Sequence, residues 1–149
     1  MAIQNFWRRM GKVLSDPGAA VNREEECNYD TAALVTLAAA GAGATNGSDQ
    51  RNVNHRGIQV VVDITAVTGT PTLTVKLQGK DAASGKYYDL LTSAALSSVS
   101  TTLLTLYPGA PTTANVSTPQ VLPAIWRVIG TVGGGTPAVT ATIGAAVLL

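Results

Sequence analysis

The chain has very few of the side chains that carry out chemistry in proteins. Its 149 residues include one cysteine, Cys27, and one histidine, His55. A single cysteine excludes an intramolecular disulfide and a cysteine-rich metal site, and a single histidine excludes any site that needs two. Three glutamates precede Cys27, and because they disfavour the reactive thiolate, we expect this cysteine to be inert.

Charged and aromatic residues are scarce as well. Charged residues make up 13% of the chain and aromatic residues 5%, and the net charge is +1. This balance gives no electrostatic reason to bind nucleic acid, so we expect no direct nucleic-acid contact. No apolar run approaches the ~20 residues of a membrane-spanning helix, and no apolar segment follows the basic residues near the N-terminus as a secretory signal requires.

What the chain does have is a strand-like pattern that begins near residue 57. Apolar side chains occupy every second position on both sides of a Thr-Gly-Thr-Pro sequence, which predicts two half-buried antiparallel strands with a turn between them. The alternating residues are Ile58, Val60, Val62, Ile64, Leu73, Val75 and Leu77.

The same pattern continues to the end of the chain and predicts a mainly β fold. Six or seven short strands at near-regular spacing favour a single antiparallel β-sandwich, jelly-roll-like, over alternating strands and helices. A Gly/Ala/Asn/Ser loop is expected over residues 41–54. The predicted strands span residues 31–40, 56–68, 71–79, 86–94, 99–107, 121–132 and 137–148.

Three segments between these strands are rich in turn-forming residues. Turns are expected at residues 81–85 and 133–137, and the link over residues 108–119 is long enough to cross between two sheets. Segments 64–75 and 132–143 resemble one another, each being a strand, a Gly/Thr turn, Thr-Pro and a second strand. We interpret this likeness as two similar hairpins rather than as a true repeat.

The first thirty residues differ from the rest, so we expect a helical arm over residues 1–30 and a β-sandwich domain over residues 31–149. Residues 2–14 have helical periodicity, with an apolar stripe opposite most of the basic side chains. Ser-Asp-Pro-Gly then ends the helix, and residues 19–30 read as an extended arm. The stripe consists of Ile3, Phe6, Trp7, Met10, Val13 and Leu14.

This amphipathic segment is the one feature that suggests a binding function, and three placements remain open for it. It binds a membrane surface, docks on a partner protein, or folds back on its own domain. Three basic residues make a weak membrane anchor, at about 1 kcal/mol each near an anionic surface, so docking on a partner is favoured. The candidate docking residues are Ile3, Phe6, Trp7, Arg8, Arg9 and Met10.

No arrangement of residues predicts catalysis, a cofactor or a metal site. His55 lacks a Gly-x-Ser-x-Gly partner motif, and nothing in the spacing of Asp49 and Asp63 supports a metal site with it. Residues 79–89 are polar but miss the phosphate-loop pattern, and we interpret them as a hairpin tip rather than a site with paired carboxylates at Asp81 and Asp89. We expect Trp126 to pack in or beside the core.

Five segments of the β region resemble small structural proteins of tailed bacteriophages, which are often encoded near capsid genes. The resemblance covers roughly residues 31–149 and consists of strand and turn patterns rather than catalytic signatures. The segments are RGIQVVVDIT (residues 56–65), GTPTLTVKLQGKD (69–81), SGKYYDLL (84–91), LYPG (106–109) and LPAIWRV (122–128).

The resemblance implies a non-enzymatic virion protein, most directly a head decoration (cement) protein on the capsid surface. Such proteins brace the major capsid protein and commonly associate as homotrimers. A head-fibre, neck or tail structural protein is the first alternative. A carbohydrate-binding β-sandwich module is the second, and it requires at least two of the rings of Trp126, Tyr87, Tyr88 and Tyr107 to be exposed on one face.

Overall fold

The computed structural model of the protein describes residues 33–149. Cys27, the predicted helix and arm, and all the candidate docking residues lie outside this part of the chain. Within residues 33–149 no helix is long and apolar enough to cross a membrane. The strands of this part are β1 (Val35–Ala40), β2 (Gly43–Asn46), β3 (Gln50–Arg51), β4 (Gly57–Lys80), β5 (Tyr87–Thr92), β6 (Ser100–Leu106), β7 (Ser117–Thr118) and β8 (Ile125–Leu148).

Two strands of 24 residues each, β4 and β8, form the centre of the fold. They pair antiparallel along almost their whole length, from Gly57 opposite Leu148 to Gly79 opposite Trp126. The shorter strands extend this ladder on both sides. β1, β2 and β3 pair with successive parts of β8, while β5 and β6 pair with opposite ends of β4.

The turns that the sequence predicted at residues 69–71 and 133–137 are wrong, because both segments lie inside the long strands. Thr70 pairs with Gly135, and Pro71 pairs with Gly134. The two similar segments of the sequence are therefore partners in one ladder rather than two hairpins. Local turn signals have the same composition as the signals for bulges and bends, which explains the error.

Glycine and proline bend the long ladder where these segments meet. Gly69 and Gly134 adopt φ values of 80° and 107°, which side-chain-bearing residues rarely adopt. A methyl group on Gly134 would also collide with the carbonyl oxygen of Thr70. The pairing register shifts twice nearby, and residues 65–70 are mostly exposed, so the ladder leaves the core at this point and turns.

The bend brings distant parts of β8 into contact. A methyl carbon placed on Gly130 would lie 3.3 Å from Ile143 Cδ1 and 3.7 Å from Leu73 Cδ1. Thirteen residues of straight strand would separate Gly130 from Ile143 by about 43 Å. The sheet therefore folds over on itself, and side chains from both of its halves form a single hydrophobic core.

Burial follows the alternation that the sequence predicted. Every alternating residue of β4 named above is at most 1% exposed, and Trp126 of β8 is fully buried, which confirms its place in the core. The buried positions change from even to odd numbers across the bend, because the bulges there insert residues into the ladder.

The prediction of a mainly β fold is confirmed, since 66% of the described residues lie in strands. These strands form one open mixed sheet, in which β6 and β7 pair parallel and the other pairs are antiparallel. The jelly-roll-like sandwich stays a prediction. The loop expected over residues 41–54 contains β2 and β3, and the link over residues 108–119 contains β7. These three short strands were not predicted.

Candidate interaction surfaces

Seven polar side chains form a connected row on the outward side of one half of the sheet. We call this set the polar row. Its members come from the loop before β3 and from β4, β5 and β8, and hydrogen bonds, ion pairs and ring stacking join them. They are Asp49, Lys76, Gln78, Lys80, Tyr87, Asp89 and Arg127.

Asp49 lies at one end of the polar row and accepts two hydrogen bonds there. Lys80 Nζ lies 2.6 Å from Asp49 Oδ2, and the Tyr87 hydroxyl donates to Asp49 Oδ1 at 2.8 Å. These two hydrogen bonds hold the pKa of the Asp49 carboxyl below its ordinary value. The same contact with Asp49 raises the pKa of Lys80, so both groups are held in their charged forms.

Arg127 connects Tyr87, which binds Asp49, to Gln78 and so to the other end of the polar row. Its guanidinium carbon lies 3.4 Å from the centre of the Tyr87 ring, and its Nε donates to Gln78 Oε1 at 3.0 Å. Gln78 donates in turn to Asp89 at 2.6 Å, and Lys76 forms an ion pair with the same carboxylate. Gln78 first and Lys76 second lower the pKa of Asp89.

The outward side of the other half of the sheet is nearly uncharged and carries two exposed large apolar side chains among small polar ones. Val61 pairs with Leu103 on β6 and with Gly144 on β8, which places the three in one row across the sheet. Val61 is 36% exposed and Leu103 is 45% exposed, whereas their chain neighbours are mostly buried. A methyl group on Gly144 would meet nothing within 4 Å, so the surface there is open.

Small and uncharged side chains surround this row. We call the whole surface the Val61 face, and it is the outward side of β1, β6 and the adjoining halves of β4 and β8. Asp63 is its one charged residue and accepts a hydrogen bond from Thr101 at 3.0 Å. The face comprises Thr36, Gln59, Val61, Asp63, Thr101, Leu103, Thr105, Thr142, Gly144 and Ala146.

The structure places His55 in a loop, as expected, but buries its side chain to 6% exposure. Asn52 fixes the loop, since its side chain accepts from the His55 N–H and donates to the His55 carbonyl. His55 Nδ1 has no hydrogen-bond partner among the described residues. Within those residues, Asp49 and Asp63 form no metal-binding group with it.

The hairpin tip predicted over residues 81–85 is confirmed. Asp81 accepts hydrogen bonds from the backbone N–H and the hydroxyl of Ser84, and these bonds lower the pKa of its carboxyl. Gly85 then adopts a φ of 70°, as a residue in a tight turn does. Asp89 lies in the polar row and Asp81 in the turn, so each carboxylate has its own hydrogen-bond partners.

The four aromatic side chains named for carbohydrate binding have different surroundings. Trp126 is fully buried, and Arg127 lies against one face of the Tyr87 ring. The Tyr107 hydroxyl donates to the carbonyl of Leu149, while Tyr88 is 46% exposed beside Gly79. Of the four rings named for a carbohydrate-binding module, Trp126 is thus unavailable and Tyr88 alone is more than one third exposed.

The sequence implied the outward direction of some of these surface residues, but their arrangement was not predicted. Lys76, Gln78 and Lys80 alternate with the buried residues Val75, Leu77 and Gly79, so the pattern predicts that their side chains point outward. Their contacts with Asp49 and Arg127 join positions 31 and 49 residues apart, and no local pattern reports such pairs. No family model matches the chain, and no curated protein or solved structure does so either.

Proposed function

We propose that this chain is a virion structural protein, a head decoration protein that stabilises a phage capsid through protein–protein contacts. In this proposal its partners are the major capsid protein and further copies of itself, as a homotrimer on the capsid surface. The resemblance of residues 31–149 to small phage structural proteins supports the proposal. No enzymatic activity, cofactor or metal has a part in it.

The observation that carries the proposal is the Val61 face. Val61 and Leu103 stand on a sheet whose central strands pair over more than twenty positions, so the surface is presented without loop motion. Burying apolar surface contributes about 25 cal/mol per Å2, and a stable interface covers about 800 Å2 on each partner. Such a face suits a protein that needs contact area and rigidity rather than a reactive group.

Two finer features belong to the proposal. The folded sheet acts as a jelly-roll-like sandwich, in which one layer presents the Val61 face and the other presents the polar row. The N-terminal segment forms an amphipathic helix that docks on the capsid or on a neighbouring copy. Its docking residues are Ile3, Phe6, Trp7, Arg8, Arg9 and Met10.

Binding of the full chain to empty, expanded capsids tests the proposal by co-sedimentation. We expect Leu103→Gln to weaken binding by at least about tenfold, because burying a leucine contributes about 1.5–3 kcal/mol. Val121→Gln is the matched control, since Val121 is 63% exposed in the segment before β8 and outside the face. Deletion of residues 1–30 is expected to weaken binding as well.

Three results would count against this function. They are wild-type chain that stays in the supernatant, a Leu103→Gln variant that binds as well as Val121→Gln, and truncated chain that binds undiminished. Electron microscopy of labelled particles separates the head from the neck and tail. Label confined to stacked rings in the tail would replace the decoration role with a tail role.

A further inference from the structure

The chain enters the described domain at the edge of the Val61 face. Leu34 donates its backbone N–H to the carbonyl of Ile143 at 2.8 Å, one residue away from Gly144. From this point, β1, β8, β4 and β6 lie side by side. The far strand is three strand spacings away, or about 14 Å. The preceding 33 residues therefore begin beside a surface on which Val61 and Leu103 are exposed and which no described residue covers.

The apolar stripe predicted for residues 2–14 matches this surface in size and offers apolar partners to Val61 and Leu103. A helix of 13 residues is about 20 Å long and about 10 Å wide, which fits across four strands. The stripe offers large side chains, including Phe6 and Trp7, whereas the face offers Gly144 and threonines that allow close approach. A helix of this length is marginal alone and gains stability by packing.

The connecting chain is long enough to permit this contact within one molecule. Residues 15–33 separate the stripe from Leu34, and 19 residues of flexible chain span about 24 Å on average. This mean span is longer than the ~14 Å width of the face, so the stripe can reach any part of it, and its effective concentration there is in the millimolar range. A second molecule reaches that concentration only in very concentrated solution.

Charge does not oppose the same pairing. Asp63 is the one charged side chain on the Val61 face, and it keeps a hydrogen bond from Thr101. The basic residues Arg8, Arg9 and Lys12 lie mostly on the side of the predicted helix away from the stripe. When the stripe packs on the face these charges point mostly to solvent, and the face presents no like charge to repel them.

We propose that residues 2–14 cover the Val61 face of their own chain in the free protein. The inference does not depend on the decoration role, because it concerns the isolated chain. It adds a condition to that role: a partner that occupies the Val61 face must displace the segment, and displacement frees Phe6 and Trp7 for a contact elsewhere. In the free protein the Val61 face is then not accessible to other molecules.

Limited trypsin digestion of the full chain tests the inference, with mass spectrometry of the first peptides released. Cleavage after Arg8, Arg9 and Lys12 reports access to the stripe, and cleavage after Arg23 is the internal reference. We expect Val61→Gln combined with Leu103→Gln to raise the ratio of stripe cleavage to reference cleavage by at least about fivefold, since proteolysis follows the population of the undocked state.

Val121→Gln is again the control and is expected to leave the cleavage ratio at the wild-type value. A ratio unchanged in the double variant would overturn the inference. Protection that disappears on hundredfold dilution would overturn it too, because it would show that a second copy covers the face. Circular dichroism of each variant verifies that the sheet is intact, so a change in ratio reports the segment and not unfolding.

Discussion

The contact between Gly130 and Ile143 gives the sharpest test of how the sheet folds over. An added methyl carbon at Gly130 would lie 3.3 Å from Ile143 Cδ1, tighter than ordinary contact. Overpacking of this kind costs about 1–3 kcal/mol, and the reduced freedom of the unfolded chain returns about 0.4–1 kcal/mol. We therefore expect Gly130→Ala to lower the free energy of unfolding by about 1 kcal/mol.

Removing the opposing methyl group should relieve that cost. Ile143→Val deletes the Cδ1 atom and alone costs about 0.5–1.5 kcal/mol. In the double variant the new methyl at residue 130 occupies the vacated space, so the two costs should not add. We expect a coupling energy of about 1 kcal/mol, measured from urea unfolding followed by circular dichroism.

Ile64→Val provides the matched control for this cycle. Ile64 is 1% exposed, but its atoms are not among the three nearest to the methyl position on Gly130. Gly130→Ala and Ile64→Val should be additive within about 0.3–0.5 kcal/mol. Additivity of the Gly130→Ala and Ile143→Val pair would refute the reasoning, because residues that are ~43 Å apart along a straight strand do not couple.

Two further predictions concern the bend and the polar row. Gly134→Ala should destabilise the fold by at least about 1–3 kcal/mol in thermal unfolding, because its positive φ and the Thr70 carbonyl exclude a side chain, whereas Gly144→Ala should be close to neutral. The lowered pKa values of Asp49 and Asp89 mean that their stabilisation is complete above about pH 4 and is lost as pH falls through the folded-state pKa values. As the pH is lowered through that range, the urea midpoint should fall less steeply in Asp49→Asn and in Asp89→Asn than in the wild type. An equal pH dependence in variant and wild type would contradict the hydrogen bonds that these two carboxylates accept.

The alternation of apolar residues predicted most of the core because burial depends on side-chain direction alone. Val60 and Val62 point inward wherever their strand lies in the sheet, and the same rule implied that Val61 points outward. Trp126 was placed in the core for a similar reason, since apolar residues of a strand surround it. These inferences need only the local period of two.

The bend was not predicted because it depends on which distant segment pairs with residues 70 and 71. Thr70 and Pro71 form a turn if their partner is the next segment, and a bulged strand if their partner is residues 134–135. The residue types are identical in both cases, so only the pairing decides. The contact of Asp49 with Lys80 was missed for the same reason, since it depends on how β8 brings the two regions together.

The two outward surfaces differ in what a partner gains by covering them. In the polar row, Asp49 and Asp89 already have short hydrogen bonds to their own neighbours, so a partner must remove water from charges that have little more to gain. On the Val61 face, covering Val61 and Leu103 releases water, and Asp63 is the one charge whose hydration is lost, so the desolvation cost is smaller. We therefore expect the Val61 face to contribute most of the affinity of a contact and the polar row to influence its orientation through charge. Exposed apolar side chains such as Val61 and Leu103 also invite nonspecific association. This is the physical reason to expect a segment of the same chain to cover them.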